Sequence, residues 1–243
     1  VSALLNPCVA HRGASGLAPE NTMAAFQKAM SFPFIQWIEL DVQLSRGGTP
    51  IVIHDSTLNR TTSGAGPVGD FTTTQLSRMD AGKWFSKAFA GERVPLLEEV
   101  LDATVGRCRL NIELKTHGGR YPGMERRVVE LLYEKELQFD TVITSFDQQA
   151  LRTVRELTAE VRTGLITEVA PPSLAGDLRA LGASFLSIGY KRVTPELMKE
   201  MRSKGITVMA WTVNDVSAMK RLAAIDPELM ICTNYPDRFA ELL

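Results

Sequence analysis

Two histidines, two cations and three carboxylates stand at or near the ends of apolar, strand-like stretches: His11 and His54, Arg12 and Lys115, and Glu39, Asp41 and Glu113. The chain has only 3 histidines. Two at strand tips facing carboxylates point to general acid–base work rather than to ordinary core or surface groups. Carboxylates brought together away from water need a compensating cation. With no soft ligand beside them, Glu39, Asp41 and Glu113 select a hard divalent ion, one Mg²⁺ or Ca²⁺, over a purely structural polar network. Arg12 and Lys115 converge with that cation into a trap for an anion of spread charge, a phosphate; a simple Lys115–Glu113 pair is the plainer alternative. Trp211, at another strand tip, offers a pocket wall. Asp55 is either a turn residue or an orienter for a histidine, and His117 reads as a solvated loop histidine. No phosphate-loop signature of nucleoside triphosphate chemistry occurs. The set fits metal-assisted phosphodiester cleavage.

These residues must be positioned by elements. Val9-Ala10-His11-Arg12 reads as a short buried strand that turns through Gly13 into a helix, with Asn21 as its N-cap. In Trp37 to Leu44, strict alternation puts Glu39, Asp41 and Gln43 on one face. Arg46-Gly47-Gly48-Thr49-Pro50 turns the chain into Ile51-Val52-Ile53-His54. A hairpin symmetric about that turn sets Asp41 opposite His54. Residues 56 to 95 break the rhythm and read as a small insertion covering the site, with a short threonine-capped helix within Thr72 to Met79 and an aromatic core of Trp84, Phe85 and Phe89. Pro95 fits the first turn of the next helix. Beyond it strands are predicted at Arg109 to Lys115, Val142 to Phe146, Thr163 to Thr167, Phe185 to Gly189, Thr207 to Val213 and Met230 to Asn234. Helices are predicted at about 124–137, 147–159, 173–181, 195–204 and 215–224. Counting the first two strands, this gives eight parallel candidates with Ile51–His54 as an extra arm: an α/β fold, a (β/α)8 TIM barrel, one catalytic domain over 1–243 with 56–95 inserted after the second strand. The final helix, from Asp237, is short, which leaves the barrel either weakly closed or cut short.

The 243 residues match the size of one such barrel, and 44% hydrophobic content suffices for its core. A net charge of −1 gives no case for nucleic acid or an anionic membrane as partner. No apolar run spans a bilayer and no signal peptide is evident, so the reading is cytoplasmic, without membrane insertion. Cys8, Cys108 and Cys232 lack metal or redox spacing and read as reduced thiols.

In order along the chain, His11-Arg12-Gly13, Pro19-Glu20-Asn21-Thr22, Glu39-Leu40-Asp41-Val42, His54-Asp55, Arg60-Thr61-Thr62, Asp80-Ala81-Gly82-Lys83-Trp84-Phe85, Asn111-Ile112-Glu113-Leu114-Lys115, Ala210-Trp211-Thr212-Val213-Asn214 and Thr233-Asn234-Tyr235-Pro236-Asp237 resemble the glycerophosphodiester phosphodiesterases, in their compact cytosolic bacterial form. The resemblance covers almost the whole chain. It implies a barrel with an insertion after the second strand, a divalent cation on Glu39, Asp41 and Glu113, and His11 and His54 as the acid–base pair. Arg12 and Lys115 then contact the phosphate and Trp211 the organic part. The implied substrate is a deacylated phospholipid such as glycerophosphocholine or glycerophosphoethanolamine, a small molecule, converted to sn-glycerol 3-phosphate and an alcohol. Similarity to barrel phospholipases with paired histidines suggests attack by the substrate's own 2-hydroxyl through a cyclic phosphate, with direct attack by water as the competitor. The aromatic insertion is read as a lid, a homodimer contact or both.

Two rival readings stand beside this one. A lysophospholipid substrate needs an apolar groove, which Phe71, Trp84, Phe85 and Phe89 supply if exposed. A non-catalytic phosphate-binding barrel predicts a replaced histidine or metal carboxylate, and none is replaced.

Overall fold

A computed structural model describes residues 4–243. Its strands are β1 (Cys8–His11), β2 (Ile35–Leu44), β3 (Pro50–Val52), β4 (Arg109–Leu114), β5 (Thr141–Ser145), β6 (Arg162–Thr167), β7 (Phe185–Gly189), β8 (Thr207–Trp211) and β9 (Met230–Thr233). Eight of them are parallel and close a barrel: β2 pairs with β1 and β4, the ladder runs on through β5 to β9, and β9 returns to β1. Closure is complete. The short last helix, Pro236–Ala240, does not leave a gap, because Phe239 is 1% exposed and completes the outer layer beside β1. β3 alone is antiparallel, an arm on β2.

The helices between the barrel strands are α1 (Met23–Met30), α2 (Thr73–Leu76), α3 (Leu97–Thr104), α4 (Met124–Glu134), α5 (Gln148–Leu157), α6 (Leu174–Leu181), α7 (Pro195–Ser203) and α8 (Val216–Ile225), followed by α9 (Pro236–Ala240). The longer ones turn an apolar stripe inward: Val128, Val129 and Leu132 on α4, and Ala150, Leu151 and Val154 on α5, are buried against the sheet. Their starts are chemically marked. Asp147, Thr194 and Asp215 accept hydrogen bonds from first-turn N–H groups of α5, α7 and α8. Inside the barrel, Val9, Val142, Phe185, Met209, Met230 and Cys232 fill the lumen, so the centre is a plug rather than a pore. Gly164 is what admits Phe185, since a Cβ there would lie 2.9 Å from that side chain. Among the described residues the three cysteines are free, Cys8 and Cys232 buried and Cys108 half-buried.

Four local expectations are corrected. Thr22, not Asn21, caps α1: its hydroxyl accepts from the Ala25 N–H, while Asn21 is left-handed at φ 56°. Pro95 lies before α3 rather than in its first turn; its carbonyl accepts from Val52, and Glu99 caps the Leu96 N–H at 3.1 Å. The hairpin register differs by one residue: Val42 faces Val52, and the Ile53 N–H reaches the Asp41 carbonyl at 3.0 Å. His54 is thus beyond the strand end, where the pleat no longer dictates its face. Finally, the buried apolar cluster within 56–95 is made of Leu58, Val68, Leu76, Ala81 and Val94. Trp84 is 40% exposed, and the half-buried Phe85 and Phe89 stack edge-on beside it, outside that cluster.

Candidate active site

Barrel register assembles the site. His11 stands opposite Glu39, and Glu39 opposite Asn111; one layer nearer the carboxyl ends, Asp41 stands opposite Glu113 and Glu113 opposite Thr144. Paired residues of parallel strands share a face, so both rows point into the lumen above the apolar plug. There a cavity of about 220 Å³ opens, with His11, Arg12, His54, Lys115, Phe146 and Trp211 around it. All eight residues singled out in the sequence converge here: Glu39, Glu113 and the other lining groups face the cavity, and Asp41 lies directly behind them.

The three carboxylates are buried, and one oxygen from each lies within 4.8 Å of the others. Among the described residues, three buried carboxylate oxygens of the cluster have no hydrogen-bond partner. They are Glu39 Oε1, Asp41 Oδ1 and Glu113 Oε1, the last two lying 3.9 and 2.7 Å from the Lys115 ammonium. Buried carboxylate oxygens left this way cost free energy unless something positive takes them up. Burial, reinforced by the Asp41 and Glu113 charges, pushes the Glu39 carboxyl well above the usual carboxylate range. Burial and Asp41 likewise push Glu113 up to about 8. Burial also opposes ionisation of Asp41, but Arg12 and Lys115 overcome it and hold that group at about 2. Crowding, hard oxygen donors and orphaned lone pairs fit a divalent cation.

The basic residues are fixed by the same acids. Arg12 is left-handed at φ 55° and donates its backbone N–H to Glu39 at 3.1 Å, while its guanidinium meets Glu20 at 2.8 Å and Asp41 at 3.4 Å. Gly13 follows at φ 77° in contact with the α1 backbone at Ala25, where a Cβ would come within 2.7 Å; only glycine lets the strand tip bend so closely onto the helix. Lys115 Nζ lies 2.7 Å from Glu113 and 5.7 Å from the Phe146 ring centre. Phe146 meets Trp211 edge-on at 6.1 Å, and the two form an apolar wall of the cavity.

Both histidines are held through Nδ1. His11 Nδ1 lies 2.6 Å from Asn234 Oδ1, and its Nε2 lies 3.7 Å from Glu39. His54 Nδ1 lies 2.8 Å from the Asp55 carboxylate. With Nδ1 protonated toward these acceptors, Nε2 is the free nitrogen of each ring. Burial, aided by Arg12, pulls the His11 imidazole down to about 4; burial lowers His54 also.

Supporting groups escaped the sequence reading. Gln43 is fully buried, and its amide nitrogen donates to the carbonyls of Ile53, His54 and Asp55 at 2.9, 3.1 and 2.7 Å, which carries His54 to the cavity despite the hairpin register. Its signal was present, a glutamine in phase with Glu39 and Asp41. Asn21 donates to Asp41 at 2.9 Å, and Arg60 bridges Asp55 and Glu20. His117 is not among the residues facing the cavity.

No helix among the described residues is long and apolar enough to cross a membrane. The glycerophosphoryl diester phosphodiesterase family model matches residues 11–238. A glycerophosphodiester phosphodiesterase of Caldanaerobacter subterraneus is 36% identical over 241 residues, covering 97% of this chain and 96% of that one. One from Bacillus subtilis is 34% identical, covering 95% and 84%. The structure of an Oleispira antarctica phosphodiesterase in complex with the product sn-glycerol-3-phosphate superposes with a TM-score of 0.90 at 30% identity, over 97% of this chain and 96% of that one. Similarity of this extent, in sequence from the first strand tip to the last helix and in the whole barrel, makes the chain a member of the glycerophosphoryl diester phosphodiesterase family, whose enzymes are phosphoric diester hydrolases.

Proposed function

We propose that the chain hydrolyses glycerophosphodiesters, deacylated phospholipids such as glycerophosphocholine and glycerophosphoethanolamine, to sn-glycerol 3-phosphate and an alcohol. The observation that carries this reading is the meeting of Glu39, Asp41 and Glu113 within 4.8 Å beside two histidines with free Nε2 atoms. The product complex of the Oleispira relative supports the same chemistry. Glu39, Asp41 and Glu113 hold one divalent cation, Mg²⁺ or Ca²⁺, which when bound stabilises negative charge on the phosphoryl oxygens. Arg12 and Lys115 bind the phosphate and set its orientation. His11 and His54 take and return protons through Nε2 on the attacking and leaving oxygens. Trp211, with Phe146 beside it, walls the organic side of the cavity.

The test is release of glycerol 3-phosphate from glycerophosphocholine with metal, with EDTA and with metal restored. Metal-dependent release, lost in His11→Ala and Glu113→Ala, is the expected result. No release from any head group with either cation would refute the reading. A substrate lacking the 2-hydroxyl separates the two routes: undiminished turnover rules out the cyclic phosphate.

A further inference from the structure

Asn111 lies at the floor of the cavity, 1% exposed, in the same row as His11 and Glu39. The Thr144 hydroxyl donates to its Oδ1 at 2.6 Å, which fixes the direction of the carboxamide. The two N–H groups on Nδ2 are then left with one partner, the Met209 sulfur at 3.7 Å, which is a poor acceptor. Ser187, buried and from the far side of the barrel, faces the same floor. A buried amide donor, locked in orientation and short of an acceptor, is an incomplete hydrogen-bond pattern that a ligand oxygen completes.

The chemistry of that ligand oxygen is constrained. Amide N–H groups reject an ammonium, which has no lone pair to offer. A phosphate is drawn instead to the Arg12 and Lys115 cations, and to the ion that Glu39, Asp41 and Glu113 would hold. A neutral alcohol oxygen suits the floor: it accepts from Asn111 and exchanges a hydrogen bond with Ser187. Accepting the functional reading above, we infer that Asn111, oriented by Thr144, determines specificity for the hydroxyl-bearing arm of the phosphodiester, binding the terminal hydroxyl of its glycerol. The other arm then leaves through the open mouth, without a comparable polar contact at the floor.

Paired deletions on enzyme and substrate test this. Wild-type chain and Asn111→Ala are assayed on glycerophosphocholine and on its analogue lacking only the terminal glycerol hydroxyl. Wild type is expected to lose about tenfold or more in kcat/KM on the analogue, and Asn111→Ala to discriminate little between the two. Thr144→Val, which keeps the side-chain volume and frees the carboxamide, is expected to lose part of the same discrimination. Should Asn111→Ala prove unstable, Thr144→Val and the competitive inhibition constants of sn-glycerol 3-phosphate and inorganic phosphate against it carry the test, with the preference for the former expected to shrink. Equal discrimination in wild type and variants, or none in wild type, overturns this inference alone. A wild-type chain that cleaves no glycerophosphodiester refutes the functional reading instead.

Discussion

The Nδ1 of His11 lies 2.6 Å from the Oδ1 of Asn234, a residue 223 positions later in the chain. Asn234 is itself held by Asn214, whose Oδ1 accepts its backbone N–H at 2.9 Å. The last strand of the barrel therefore sets the orientation of the histidine on the first, a consequence of closure between β1 and β9.

A carboxylate at position 234 would accept the same hydrogen bond and also favour the imidazolium. Burial is the main reason His11 now sits low, and a fixed negative charge opposes it. In Asn234→Asp, the limb of the pH profile of kcat/KM governed by His11 is expected to move to higher pH by about one unit. A profile that keeps both limbs would show that His11 does not control the rate.

Gln43 concerns the other histidine. Its amide nitrogen is the shared partner of three successive carbonyls, and its Oε1 accepts from the Tyr121 hydroxyl at 2.6 Å. Gln43→Leu leaves those groups unsatisfied and frees the segment bearing His54, so stability is expected to fall by about 2–4 kcal/mol and kcat by more than tenfold. Tyr121→Phe removes one hydrogen bond, at a cost of about 1 kcal/mol. Urea unfolding beside kcat measurements checks both. Equal kcat losses in the two variants would argue that His54 is not placed by Gln43.

Gln43 also marks what the sequence reveals. The barrel was legible because each β–α unit declares itself: apolar runs such as Phe185–Gly189 alternate with amphipathic stretches such as Gln148–Leu157. Glu39, Asp41 and Glu113 stood out because acids on otherwise apolar strands are anomalous. Asn21 did not stand out, because Asn before a helix is an ordinary cap residue and Thr22 beside it does that work instead. The His54 register depended on a turn one residue tighter than symmetry suggested, with the Thr49 carbonyl taking the Ser45 N–H. Asn234 and Arg60 act across long sequence separations, and no local pattern reports a partner 223 or 40 residues away.

The carboxylate cluster predicts opposite effects with and without metal. Without it, Glu39 and Glu113 crowd Asp41, and removing one acid relieves repulsion. Glu39→Gln keeps an oxygen for the Arg12 N–H, so its Tm in EDTA is expected to equal or exceed that of wild type. On adding Mg²⁺ or Ca²⁺ at one hundred times its Kd, wild type is expected to gain about 2.7 kcal/mol, and the variant much less. Thermal melts in EDTA and in each cation decide this. Equal gains in both proteins would place the ion elsewhere.

Arg60 supplies the last test, through acid stability. It binds Asp55 at 2.8 and 2.9 Å and Glu20 at 2.6 and 3.0 Å, joining the orienter of His54 to the acid that holds Arg12. Hydrogen bonding to Arg60 leads in holding Asp55 below the usual carboxylate range. Glu20 is lowered also: burial opposes this, and Arg60 and Arg12 prevail. Carboxylates with depressed folded-state values stabilise the fold above their unfolded values, about 4, and lose that contribution as pH falls through the folded ones. Arg60→Met is therefore expected to lower stability at pH 7 and to flatten its decline below about pH 4. Arg60 is 45% exposed, so solvent screening limits the neutral-pH difference to about 1 kcal/mol. Urea titrations at pH 7 and at successively lower pH measure it, and curves that stay parallel down to the acid limit would mean that the bridge carries no linkage.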